Sequence, residues 1–443
     1  MVIEFKRKDL LLPLIFGVFF ALIYPILPLE YFLIGIVGFL GIVAVLYDIK
    51  IGILGAVFLI PFLPDMLSLI FIMFLVMVYI YEHLVKRTAP LDKGSVYIPI
   101  ILFGIIILIG TVTSIDVTGS FRDLTIHFVS IGLIIIMINS IDRLEDFNIL
   151  LTMIVFSATI VGLIGLYQYV VGVPIDSAWV DVANNPDIKA RVYSVFGNPN
   201  ILAEYLIMTI PLSVSLFWYT KKIGKKILFL ATSGILILAL VFTSSRGGWL
   251  GFAVSALIFI LLVEKRLLLS IIPIGIAGIY FLPDSIMRRI VSIGNFADSS
   301  NSYRIKMWQI AMEIIKDHPL AGVGFGHIPF KETFETYIRT MPTYHAHNTY
   351  LEIAAELGIP GLIAFLFLLF VVFKYGIQKL INQENRYIKI IAAGAFAGLG
   401  GLLTHGAVEN VIYLTRIILY FWILIGLILT LMKIKKQEKI HIK

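Results

Sequence analysis

Residues 227–263 read ILFLATSGILILALVFTSSRGGWLGFAVSALIFILLV, two apolar runs joined by Ser244-Ser245-Arg246-Gly247-Gly248. Each run approaches the ~20 apolar residues an α-helix needs to cross a bilayer. The five residues between them break the apolar pattern, so the stretch reads as two spans meeting at a polar tip. An arginine at a membrane boundary costs free energy unless something uses it. Arg246 at such a tip either snorkels to lipid headgroups or holds an anion. Gly247 and Gly248 beside it allow backbone to approach a ligand closely.

The same pattern recurs along the chain. Of its 443 residues, 59% are hydrophobic and 14% charged, whereas a soluble domain carries roughly 25% charged residues. Spans are expected near 10–29, 31–47, 50–63, 66–82, 96–113, 124–139, 147–172, 201–219, 227–243, 248–263, 267–282, 349–373, 388–405 and 410–432, with 50–63 short enough to be partial or re-entrant. The reading is an all-α, polytopic integral membrane helix bundle of about twelve to fourteen spans, one membrane domain over 1–443. The first run follows Lys6-Arg7-Lys8, is long for a secretory signal and has no small-residue cleavage site after it, so it reads as a retained span. No cysteine is present, which excludes disulfides, thiolate metal sites and cysteine nucleophiles.

Charge orients the bundle. With the N-terminus inside, 23 of the 35 basic residues fall on the inner side, as the positive-inside rule expects. Both termini are therefore expected in the cytoplasm. The net charge of +7 reads as topology, not as a nucleic-acid surface. Two loops on the outer side are long, 173–200 and 283–348. In the second, Trp308, Ala311, Met312 and Ile315 share one helical face, as do Phe330, Phe334, Tyr337 and Met341. His318-Pro319 and the glycines of Gly322-Val323-Gly324-Phe325-Gly326 separate the two helices. That glycine run lacks a preceding strand and a P-loop lysine, so it is not read as a nucleotide loop.

Chemistry-bearing residues concentrate on the outer side. Arg122, Arg191, Arg246, Arg304 and Arg416 map there and call for anionic partners. Asp123, Asp181, Asp187, Glu204 and Glu409 would supply them within the protein; a lipid pyrophosphate is the alternative. His347 ends the long loop where a span begins, where a histidine suits general-base work near neutral pH. His345 and His347 alone lack an evident third ligand, so no metal is expected. Glu352 and Glu356, four apart on one helical face, are candidates to orient His347 or an acceptor hydroxyl, or to pair with an arginine.

Five segments occur in a telling order: Arg191-Val192-Tyr193-Ser194-Val195-Phe196-Gly197-Asn198-Pro199-Asn200; Ser244-Ser245-Arg246-Gly247-Gly248-Trp249; Ser302-Tyr303-Arg304 with Trp308; His318-Pro319 with Gly322-Val323-Gly324; and His347-Asn348 with Tyr350-Leu351-Glu352 and Glu356-Leu357-Gly358. Over roughly 190–365 the chain resembles the bacterial O-antigen ligase and O-antigen polymerase superfamily. The resemblance implies a GT-C-like membrane glycosyltransferase of the bacterial inner membrane. Its donor would be a glycan on undecaprenyl pyrophosphate, and reaction would occur at the periplasmic face, with inversion and with no metal or other cofactor. The acceptor would be lipid A-core in a ligase, the reading favoured here, or a second lipid-linked glycan in a polymerase.

Carried over by motif, Arg246 and Arg304 would bind the pyrophosphate, Arg191 would lie close by, and His347 would activate or position the acceptor hydroxyl. Asn198, Asn200, Tyr303, His345, Asn348, Glu352, Glu356, Arg122 and Arg416 are candidate supporting residues. A transporter or lipid-glycan flippase is the rival class. It predicts ionisable groups near the middle of several spans and an inverted repeat, and no repeat is visible.

Overall fold

The computed structural model describes residues 28–88, 97–173, 191–269, 299–341, 343, 345–382 and 384–441, and the isolated residues 17, 18, 24, 25, 273 and 287; the side chains of 299, 300 and 435–441 are not described. The spans expected at 10–29 and 267–282, most of the 173–200 loop, and residues 283–298 lie largely outside that set. The chain divides into two compact units, 1–52 and 53–443.

The first unit holds α1 (Leu29–Tyr47) and the start of α2 (Ile49–Leu59). On α1 only Val45 is buried; Ile34, Val37 and Leu40 are exposed, as suits side chains against lipid. The second unit holds the end of α2, then α3 (Asp65–Lys86), α4 (Ile98–Val112), α5 (Val117–Ser140), α6 (Leu144–Val171), α7 (Pro199–Tyr219), α8 (Ile223–Phe242), α9 (Arg246–Val263), α10 (Ser299–Asp317), α11 (His327–Tyr337), α12 (Thr349–Leu380), α13 (Arg386–His405) and α14 (Thr415–His441). Among the described residues there is no strand, and ten helices are long and apolar enough to span a bilayer, with α2 and α4 apolar but shorter. The chain is a multi-pass helical membrane protein.

In the second unit α14 is the axis. Its residues Thr415–Ile434 are almost all buried, and it packs against α5, α7, α12 and α13. Glycines on α13 let its neighbours come close. A Cβ on Gly398 would stand 2.7 Å from the Met208 carbonyl of α7, and one on Gly401 would stand 2.7 Å from the Gly251 carbonyl of α9. Small residues at such crossings replace the hydrophobic drive that lipid removes. The α9–α13 contact fixes the start of α9, because Gly247 lies against His405 and Val408.

α12 is broken near its N-terminal end. Gly358 adopts φ 69° and Pro360 follows, which together interrupt the helical ladder. The freed backbone groups are taken up by the glycine-rich turn: Val323 donates to the Ala355 carbonyl (2.9 Å), Gly324 to Glu356 (3.1 Å), and Ile359 donates to Pro319 (2.8 Å). A Cβ at Gly322 would meet the Glu356 carbonyl carbon at 2.3 Å. The glycines thus serve backbone docking.

Two expectations shift by a few residues. α10 and α11 do pack together and onto α12, but the buried face of α10 is Met307, Ala311 and Ile314, with Met312 43% exposed. The last span begins at Thr415, not at 410. Residues 406–414 stay in a turn because the start of α12 satisfies its backbone: Thr349 N–H donates to Gly406, its hydroxyl donates to the Glu409 carbonyl (3.0 Å), and it accepts from Val411 N–H (3.0 Å).

Candidate functional site

That turn carries the residue on which the site is built. Glu409 is 5% exposed. Its Oε1 accepts a hydrogen bond from His347 Nδ1 and lies 3.8 Å from His345 Nδ1. Its Oε2 accepts from Arg304 Nη2 at 3.2 Å and from Asn200 Nδ2 at 3.3 Å. Arg191 stands behind Asn200, with Nη2 3.1 Å from the Asn200 oxygen and Nε 2.9 Å from the Thr243 carbonyl. Three separate segments therefore converge on the carboxylate of a fourth.

Local sequence explains each approach. Asn198 caps α7 by accepting from Asn200 N–H (2.8 Å), and Pro199 occupies the first turn, where a missing N–H does no harm. Ser245 caps α9, accepting from Gly248 N–H (3.3 Å). Asn348 caps α12, accepting from Tyr350 and Leu351, and its side chain donates to Ala407 at 3.0 Å. Ser194, Ser244 and His347 have φ of 50°, 53° and 49°, each a strained choice for a residue with a side chain. Trp308 Nε1 holds the His347 carbonyl at 3.3 Å.

Electrostatics set the protonation states. Burial pushes the Glu409 carboxyl upward, but His347, Arg304 and His345 outweigh it and hold the group well below the usual carboxylate range. An ionised carboxylate only accepts, so His347 Nδ1 must carry the proton of their hydrogen bond, which leaves the lone pair of the neutral ring on Nε2. Burial, then the neighbouring His347, pushes His345 down to about 3, against a weaker pull upward from Glu409. His345 is thus neutral near pH 7 and accepts the His347 N–H at 3.3 Å. His345, His347 and Glu409 bring ligand atoms within 4.8 Å of one another, a spacing that suits a metal ion. Arg304 on the same carboxylate opposes a second cation there.

Of the residues expected from sequence, Arg191, Asn200, Arg304, His345 and His347 meet around Glu409. Asn198 and Asn348 act as helix caps at its edge. Arg246 begins α9, is partly buried, and precedes the glycine packed on His405. Tyr303 adjoins Arg304 in α10 and is 37% exposed, its phenol raised by partial burial. Arg416 is a structural cross-link: it reaches Asp65 (3.1 Å) and the carbonyls of Pro61 (3.2 Å) and Val195 (2.9 Å). Arg122 pairs with Asp123 at 3.4 Å, and His327 does so at 3.0 Å. Glu352 and Glu356 do not reach the Glu409 cluster; their hydrogen bonds are to Ala346 N–H and to Gly326 N–H (2.9 Å). From sequence, Glu409 stood only as an ion-pair partner for an arginine. The signal was an acid followed by an amide, Glu409-Asn410, in a short link between two apolar runs.

The family model for O-antigen ligase matches residues 231–366. An uncharacterised protein of Haemophilus influenzae is 30% identical over 211 residues, covering 42% of this chain and 52% of that protein. A Rickettsia typhi protein named as a polysaccharide ligase is 27% identical over 246 residues, covering 52% and 56%. The O-antigen ligase of Salmonella typhimurium is 21% identical over 319 residues, covering 68% and 75%. The chain spans about half the length of the first two relatives.

Proposed function

We infer, from a chain that belongs to the O-antigen ligase superfamily, that it transfers a glycan from a polyprenyl-pyrophosphate donor, undecaprenyl pyrophosphate in a bacterial inner membrane, to an acceptor hydroxyl. The observation that carries this reading is the double use of Glu409, with a histidine on one oxygen and a guanidinium on the other. Such a cluster places a neutral base beside a fixed positive charge, the two things an inverting transfer from a pyrophosphate requires.

In this mechanism the acceptor oxygen attacks the anomeric carbon while the bond from that carbon to the phosphate oxygen breaks. The bonding pair leaves on the pyrophosphate. The acceptor's proton passes to His347 Nε2, and Glu409 stabilises the resulting imidazolium. Arg304, which keeps further N–H donors beyond the one on Glu409, and Arg246 at the start of α9 neutralise the leaving group. Arginines can do this without a metal. Arg191 and Asn200 fix the orientation of Glu409. α10 and α11 cover the site against water, which would otherwise hydrolyse the donor.

Ligation to lipid A-core is the favoured reading, at the periplasmic face with both termini in the cytoplasm. Joining of repeat units needs the same clamp. Purified protein in lipid, given a polyprenyl-pyrophosphate-linked repeat unit with and without lipid A-core, separates them on a gel. A product that requires the core means ligase, and a ladder from donor alone means polymerase. No product over a range of donors overturns glycan transfer.

A further inference from the structure

The turn that docks onto α12 ends in an uncharged tip. Pro319, Leu320 and Ala321 are exposed, Leu320 at 78%. Sequence alone puts this tip in the 283–348 loop, away from the spans. Its neighbours place it among them. A Cβ on Gly358 would stand 2.6 Å from the Leu320 carbonyl, and Ile359 N–H donates to Pro319. From Ile359 the exposed apolar side chains of α12 recur at Ile363, Leu366, Phe367 and Phe370, the period of one helical face. The turn also holds the end of α4: Phe325 N–H donates to the Gly110 carbonyl (3.2 Å), and Ile115 N–H to the Val323 carbonyl (3.2 Å). The exposed apolar face of α4 runs on through Val112 to Ile115. α4 and α12 pack side by side, so two lipid-facing surfaces meet at the turn.

Helix length sets the depth of that meeting. Ile359–Phe373 carries no charge and is followed by Lys374. At 1.5 Å per residue it rises ~22 Å, and α4, Ile98–Val112, rises ~22 Å as well. The hydrocarbon layer is ~30 Å thick. With the Lys374 end at one edge of that layer, the other edge falls beyond Ile359 and the Leu320 beside it. Non-helical backbone lies at such depth only where its polar groups are taken up. The turn meets that condition along most of its length. Gly322 N–H donates to His318 (3.1 Å), Val323 and Gly324 donate to α12, Phe325 donates to α4, and Pro319 has no N–H to lose. Charge returns directly behind the tip, where Lys316 and Asp317 close α10.

We propose that Pro319-Leu320-Ala321 is a lipid-embedded wedge, with Leu320 inserted among the acyl chains of the bilayer beside α4 and α12. The partner of this surface is the acyl layer itself. The wedge fixes how deep the covering helices sit, because α10 ends at Asp317 and α11 begins at His327. The assignment stands apart from what the protein transfers.

The chain has no cysteine, so one introduced cysteine carries a nitroxide without background. Leu320→Cys and Ala321→Cys are labelled in the full chain in phosphatidylcholine nanodiscs. Ile363→Cys is the lipid reference, and Glu313→Cys, on the exposed face of α10, is the water reference. Power saturation compares collisions with oxygen, which concentrates in acyl chains, and with a water-soluble nickel chelate. Both tip positions should favour oxygen as Ile363 does, with nickel collisions several-fold below those at Glu313. Two positions keep the readout if one variant fails to fold. Nickel collisions equal to those at Glu313 put the tip in water and overturn the wedge. Low collision with both reagents overturns it too, because protein, not lipid, then covers Leu320.

Discussion

Two carboxylate clusters face each other across Asn410, and they are provisioned in opposite ways. Glu409 is surrounded by donors: His347 on one oxygen, Arg304 and Asn200 on the other. Glu352 and Glu356 are buried to a similar depth with only backbone amides and each other as partners. The first cluster is complete within the protein and keeps its carboxylate ionised, so its chemistry is to orient a base. The second pairs acid with acid, so its work is to hold the turns at Ala346 and Gly326. Burial of an acid therefore does not by itself announce its job; the inventory of partners does.

The sharpest way to break the comparison is Glu409→Gln. It removes the anion that orients and stabilises His347, so turnover should fall ~10²–10⁴-fold in the gel assay. Glu356→Gln, which weakens the hold on the Gly326 turn, should lower stability first and turnover much less. If the two variants lose turnover equally, the clusters are one functional unit. Arg304→Lys and Arg246→Ala come next, each lowering turnover ~10²–10³-fold, since an ammonium cannot reproduce the guanidinium fork. Near-normal rates in Arg304→Lys would reduce Arg304 to an ion-pair partner of Glu409.

Arg416→Gln should behave differently from both. It cuts the link to Asp65 and two carbonyls, costing about 1–2 kcal/mol of stability, and turnover per folded molecule should hold. A specific loss of turnover would return Arg416 to the site. The last effect is a pH slope. The His345 value of about 3 lies below that of an unfolded histidine, near 6.5, so the unfolded chain takes up the proton first as pH falls. Stability from this group is full above ~6.5 and declines toward 3 at up to about 1.4 kcal/mol per pH unit. Melting curves from neutral to acid pH should be flatter in His345→Asn; an unchanged slope would assign the acid sensitivity to another group.

Much of the fold was legible because apolar run length is a direct physical signal in lipid. Nine of the described helices, α1 to α4, α6 to α9 and α13, lie within a few residues of their expected limits, while α5 begins well before residue 124. The errors came where tertiary hydrogen bonds compete with the helix. Residues 410–414 are apolar enough to continue the last span, yet Thr349 captures their backbone. The buried face of α10 is offset because Phe330 and Phe334 of α11 decide which side is covered. In the site, Arg304 and His347 were legible as charges at a boundary. Glu409 was not legible as their hub, because it meets His347 across 62 residues and Arg304 across 105. No local pattern encodes that meeting.

The break in α12 has a mechanical consequence. Because the 318–326 turn is stitched into the helix at Ala355, Glu356 and Ile359, loop and span share their hydrogen bonds. Drawn out of a bilayer by a force probe from its C-terminal end, the chain should not release the N-terminal stub of α12 and the turn as separate rungs. Residues 318–359 should yield as one rip. The loop is anchored like a rivet, and Gly322→Ala, which forces a methyl into the seam, should split that event in two.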